Sequence, residues 1–250
     1  MNVKSLADRA INGVLLKPFG LSLKYRVGAE PVDDLRALLL NEKVDIVVDG
    51  GAHRGSFSRR MSKIYPRANI HAFEPTPASH LELLGNTRYC GNVTCHEVAL
   101  GSVEGTAQFH TNESPLTNSL RKSSSAGAAN FGNLVRGKGE IEVKVTTLDT
   151  FARANNIEKI DVMKLDLQGS ERDALVGAGG LLSRLGAALV EVQFVALYDG
   201  APLFCDINEI MKRHGLSLFQ FYEMVRSPDD GRLLYGDALF VRDRLLNHCR

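Results

Sequence analysis

The chain has no CxxC pair, no Cys/His grouping with metal-ligand spacing, and only four cysteines, Cys90, Cys95, Cys205 and Cys249, among 250 residues. That excludes a disulfide scaffold and a zinc finger. A lone Cys90–Cys95 bridge is less expected than free thiols in a reducing cytoplasm. No stretch reaches the ~18–20 apolar residues of a membrane span. The opening segment, MNVKSLADRAINGVLLKPFG, lacks the unbroken apolar core of a secretory signal. Charge of one sign is missing too: 30 basic against 29 acidic residues leave a net +1, which offers no footing for a nucleic-acid partner. Glycine (23) and proline (8) are too few for collagen-like or low-complexity classes.

What is present is an ordinary globular composition, 44% hydrophobic and 24% charged, long enough to bury a full core. Residues 1–40 read as a helical extension. Leu6, Ala7, Ala10, Ile11, Val14 and Leu15 recur at helical spacing there, a face that packs on its own domain, on a homodimer mate or on a membrane surface.

From residue 41 to 245 strand-like and helix-like segments alternate, the pattern of a mostly parallel sheet with helices on both faces. Strands are expected at 44–48, 69–73, 93–100, 161–165, 187–194 and 216–222, with a last one over 233–241. The final two are joined by Ser227-Pro228-Asp229-Asp230-Gly231, too short for a crossover, so the last strand must run antiparallel. Thr106–His110 and Ile141–Val145 read as a paired excursion around an insert at 112–139. That insert is rich in Gly and Ser and carries Arg121, Lys122, Arg136 and Lys138 with no acid between Glu113 and Glu140. Such a loop is a lid or a disordered segment; its cations point to an acceptor bearing phosphate or carboxylate.

The strongest local signal is Asp49-Gly50-Gly51-Ala52-His53-Arg54-Gly55, between a buried strand and a helix. Glycines let the backbone turn and approach a ligand, and the helix N-terminus adds amide donors. The same residues also suit a tight turn without a ligand. Glu74 closes the next strand, where a carboxylate can accept ribose hydroxyls. Together they indicate an adenosine-containing cofactor, which leaves NAD and S-adenosylmethionine (SAM) open.

Six short blocks then fall in register: Asp49-Gly-Gly-Ala-His-Arg-Gly-Ser-Phe-Ser58, Phe73-Glu-Pro75, Val98-Ala-Leu-Gly101, Thr147-Leu-Asp149, Lys164-Leu-Asp-Leu-Gln-Gly-Ser-Glu171 and Asp237-Ala-Leu-Phe-Val241. On these the chain resembles the FkbM-type SAM-dependent methyltransferases from about residue 44 to 242. The resemblance implies a Rossmann-like seven-stranded sheet with its last strand antiparallel. It also implies O-methylation of a hydroxyl on a sugar, polysaccharide, glycolipid or secondary metabolite. By the same resemblance Asp49, Gly50, Gly51 and Gly55 form the cofactor loop, with Asp49 and Gly51 at the methionine part. Glu74 and Pro75 stand at the ribose, Ala99 lines the adenine edge, and Asp166 stands beside the transferring methyl. Gln168 departs from the family pattern, where Glu is common, and this puts in doubt any role needing a charge at that position.

A neutral hydroxyl is a poor nucleophile, so the site must align it and take its proton. Asp166 is the first candidate base and His110 the second. Asp166 and Glu191 close neighbouring strands, and two carboxylates there suit a Mg²⁺ ion or hydrogen bonds to loop amides. Tyr222 and Glu223 are candidate acceptor contacts. His53 reads as structural or solvent-facing, and Arg59, Arg60, Lys63 and Arg67 as a solvated helix face. Two other readings remain: an NAD(P)-dependent oxidoreductase, though no full GxGxxG or Tyr-x-x-x-Lys occurs, and a non-catalytic binding module that keeps the fold.

Overall fold

The computed structural model describes residues 30–246. The amphipathic segment of residues 6–15, with the homodimer or membrane role expected of it, lies outside them. A first helix, α1 (Pro31–Leu38), is followed by β1 (Ile46–Gly50), α2 (Ser56–Ile64), β2 (Asn69–Phe73), α3 (Pro77–Thr87) and β3 (Val93–His96). The excursion comes next: β4 (Ala99–Leu100), β5 (Gly105–Asn112), α4 (Ser125–Phe131) and β6 (Gly137–Thr146). Then α5 (Leu148–Ala154), β7 (Val162–Leu165), α6 (Glu171–Ala178), β8 (Ala187–Gln193), α7 (Phe204–Arg213), β9 (Leu216–Arg226), β10 (Leu233–Arg242) and α8 (Asp243–Leu246) complete the chain.

Seven strands form one sheet in the order β3-β2-β1-β7-β8-β10-β9. The first five are parallel, and β10 runs antiparallel between β8 and β9. Side chains alternate across a strand, so neighbours in sequence enter different cores. Val47, Leu189 and Leu239 pack on one face with α1 residue Leu35, while Val48, Val190 and Phe240 pack on the other with Leu175 of α6. Burial on both faces explains why β8 is apolar almost throughout and buried at every position. The result is the expected Rossmann-like α/β sheet.

Two expectations change. The strand read over 93–100 is two strands in two sheets: β3 pairs with β2, whereas β4 joins a small sheet of order β4-β6-β5. Residues 112–139 form an ordered unit, with a 3-10 turn at Pro115–Thr117, α4, and a second 3-10 turn at Gly132–Val135. The Ser124 side chain caps α4 by accepting from the Gly127 amide, and the Ser124 amide donates to the Leu197 carbonyl. The unit is thereby fastened to the loop after β8.

Candidate active site

At the end of β1 the chain turns through Gly51, whose φ is +73°. A Cβ there would stand 1.9 Å from the Asp166 carbonyl oxygen, so only glycine fits this crossing of two strand-end loops. The Gly51 and Ala52 amides donate to the Phe73 carbonyl. That brings the His53 amide to Glu74 Oε2, at 3.0 Å. Glu74 Oε1 accepts from the Thr76 amide (3.0 Å) and hydroxyl (2.6 Å). A carboxylate has about four acceptor positions, so Oε1 is filled and one position on Oε2 is open. Glu74 can therefore accept one further donor, not the two that a free carboxylate would take.

These residues border a first cleft of about 630 Å³, a volume that includes open solvent. Gly51, Glu74, Pro75, Ala99 and Asp166 line it, and Leu116 and Asn118 of the insert cover it. Asp49, Gly50 and Gly55 do not line it. Asp49 is fully buried, and its Oδ2 accepts from the Ser58 amide and hydroxyl at 3.2 and 2.6 Å, anchoring the start of α2. Its Oδ1 has no hydrogen-bond partner and lies 3.9 Å from Lys164 Nζ. Burial pushes the Asp49 carboxyl up, against the pull of Lys164. Gly55 begins α2 at φ +76° and packs on Leu83, while Gly50 packs between Leu100 and Leu165. The glycine cradle at Gly51 and the open position on Glu74 fit a nucleoside such as that of SAM.

A second cleft, of about 990 Å³ including open solvent, shares Leu116, Asp166 and Gln168 with the first. Gln168, at φ +54°, is central to it. Its Nε2 donates to Asp166 Oδ1 at 2.8 Å and to Glu191 Oε2 at 2.9 Å, and its Oε1 accepts from the Tyr198 hydroxyl at 2.6 Å. An amide donor thus joins two carboxyl groups, which explains why Gln stands here: a third carboxylate would only repel the pair. Lys164, two residues before Asp166 on the same face of β7, donates to Asp166 Oδ2 at 3.1 Å.

These contacts decide where the protons sit. Burial would raise Asp166, but Lys164 and the Gln168 amide hold its carboxyl below the ordinary range. Burial, then the charges of Asp166 and Glu171, push Glu191 well above it. Burial would lower Lys164, yet Asp166, Asp49 and Asp237 keep it firmly protonated. Of the pair, Asp166 gives up its proton the more readily and Glu191 holds its proton the more tightly.

Three sequence expectations are corrected here. The Asp166–Glu191 pair does not fit Mg²⁺, because Lys164 and Gln168 direct N–H donors at the oxygens a cation would need. Among the described residues, no group of three His, Cys, Asp or Glu converges to hold a metal. His110 lines neither cleft and is paired with Glu140 at 3.1 Å, because the β5–β6 register sets those two residues opposite each other. Tyr222 hydrogen-bonds to Asp34 on the other side of the sheet and does not line the second cleft, whereas Glu223 does. The insert's cations are also committed: Arg121 to Asp173, Lys122 to Glu140, and Arg136 and Lys138 to Glu113. Lys164, Tyr198 and Tyr235 were not singled out from sequence, although the period-two spacing of Lys164 and Asp166 places both on one face.

The family model of the methyltransferase FkbM domain matches residues 49–218, the span that holds the glycine loop, Glu74, Asp166, Gln168 and Glu191. The chain belongs to the FkbM methyltransferase family. It is a SAM-dependent methyltransferase, which decides against the NAD(P) reading. It is similar to the 2-O-methyltransferase NoeI of Sinorhizobium fredii, at 26% identity over 83% of each chain. It is also similar to the hexuronic acid methyltransferase AglP of Haloferax volcanii, at 28% identity over 64% of this chain and 61% of that protein. Among solved structures, Aeropyrum pernix fibrillarin with bound SAM aligns with a TM-score of 0.43 at 15% identity, covering 95% of this chain and 74% of that one. No helix among the described residues of this FkbM methyltransferase is long and apolar enough to cross a membrane.

Proposed function

We propose that this methyltransferase transfers a methyl group from SAM to a hydroxyl of a carbohydrate unit, with Asp166 as the base. The observation that carries the reading is the meeting of two clefts at one ionised carboxylate: Asp166 lines both. Gly51, Glu74, Pro75 and Ala99 would hold the cofactor in the first, and Glu223, Tyr198 and Tyr235 would face the acceptor in the second. The carbohydrate class is supported by the substrates named for the two relatives.

When bound, SAM supplies an electrophilic methyl group on a sulfonium and is left as a thioether. The chain's own part is alignment, worth ~7–11 kcal/mol when the reacting atoms are held near contact, and proton removal. Asp166 takes the proton that the acceptor hydroxyl gives up; a positioned base contributes about 10²–10⁴-fold. Lys164 and Gln168 keep that carboxylate ionised and aimed, and the same Gln168 amide holds Glu191 beside it. The three described cysteines, Cys90, Cys95 and Cys205, are free thiols, which supports placement in the reducing cytoplasm.

Calorimetry with SAM, its demethylated product and NAD tests the cofactor half, and only the first two are expected to bind. Transfer of labelled methyl to glycosides tests the acceptor half. NAD binding with SAM excluded would sink the proposal.

A further inference from the structure

The second cleft carries a charge pattern that selects among hydroxyl compounds. Its wall holds three carboxyl groups, Asp166, Glu191 and Glu223, and none of its described lining residues is a lysine, arginine or histidine. A fourth acid, Asp237, is the cross-strand neighbour of Glu191. The cation beside this wall, Lys164, is partly buried and aimed at Asp166 and Asp49. Arg121, Lys122, Arg136 and Lys138 of the covering insert are each paired with a carboxylate elsewhere. Phe131, Tyr198 and Tyr235 supply aromatic surface beside these acids, the Phe131 and Tyr235 rings meeting edge-on at 5.9 Å.

Resting on the sugar O-methylation proposed above, we infer that the acceptor is an uncharged or amine-bearing glycosyl unit, and that this cleft rejects sugars bearing carboxylate or phosphate. Carboxylate oxygens accept from hydroxyl and ammonium donors, and aromatic faces take the C–H faces of a ring. An acidic sugar would bring a further negative charge beside Asp166 and Glu223, where Lys164 is already paired with Asp166; specificity then comes from repulsion as much as from contact.

The full chain, incubated with SAM and the p-nitrophenyl glycosides of a neutral hexose, a 2-amino hexose and a hexuronic acid, reads this directly. Labelled-methyl transfer gives kcat/KM, and ligand-detected NMR with the demethylated cofactor gives binding. The neutral and amino glycosides are expected to exceed the hexuronide at least tenfold in kcat/KM and to bind in the same order. Glu223→Gln is expected to narrow that gap at least threefold with SAM affinity unchanged. A hexuronide used as well as or better than the others overturns the charge assignment and leaves sugar O-methylation standing. Neither transfer to nor binding of any of the three, by a chain that still binds SAM, overturns both.

Discussion

The Ser119 hydroxyl donates to the Gln168 carbonyl at 2.7 Å, joining residues 49 positions apart. Ser119 is fully buried, and its oxygen also accepts from the Arg121 amide at 2.9 Å. The covering insert and the strand-end loop that carries Asp166 are therefore parts of one hydrogen-bonded unit, and disturbing either disturbs the other.

Ser119→Ala leaves the Gln168 carbonyl and the Arg121 amide without a buried partner. A loss of about 1–3 kcal/mol in stability is expected, together with faster amide exchange over residues 115–120. Exchange there as slow as in the wild type would show that the insert is held by other contacts.

Glu74→Ala removes the one open carboxylate position on the cofactor cleft. A hydrogen bond to a charged group contributes about 1.5–3 kcal/mol, so SAM affinity is expected to fall at least tenfold while the chain stays folded. Calorimetry giving an unchanged affinity would move the ribose contact to another residue.

Asp166→Asn keeps the shape of the side chain and removes the base. Turnover is expected to drop by 10²-fold or more, with SAM still bound. Wild-type activity is expected to be indifferent to EDTA, because the Asp166–Glu191 pair is bridged by the Gln168 amide. Activity lost in EDTA and restored by Mg²⁺ would overturn this account of the pair.

Glu171 accepts the Leu167 and Gly169 amides at 2.8 and 3.2 Å, and burial foremost pushes its carboxyl up to about 7. A raised folded value means the folded state holds the proton more tightly. The stabilisation is full below the unfolded value of about 4.5 and is lost as pH rises through about 7. Glu171→Gln cannot titrate, so it is expected to gain on the wild type by about 3 kcal/mol between pH 4.5 and 8. Urea midpoints at the two pH values measure this, and parallel pH profiles for the two proteins would refute it.

Much of the sheet was legible because its strands are apolar on both faces: β1, β2, β7 and β8 stand at or near their expected positions. Asp166 and Glu191 were legible too, since strand ends converge in this architecture. Local pattern does not contain the pairing that splits 93–100. Ala99 and Leu100 pair with Val145 and Thr146, beyond the whole insert. Nor does it contain the bridging role of Gln168, which depends on a left-handed backbone at that residue and on Tyr198 from a loop 30 positions later. His110 looked available because its partner Glu140 lies on the far side of the same insert.

The position of β10 also bears on how the protein is made. The strand nearest the C-terminus does not sit at an edge but fills the gap between β8 and β9, pairing with both. Until residue 242 has emerged from the ribosome, β8 and β9 have no common neighbour and each presents a bare row of amides and carbonyls. The helices over β1, β2 and β7 can form earlier, during synthesis. Sealing of the wall that carries Glu191 and Glu223 must wait for β10. A nascent chain stalled before β10 would expose unpaired strands at the second cleft.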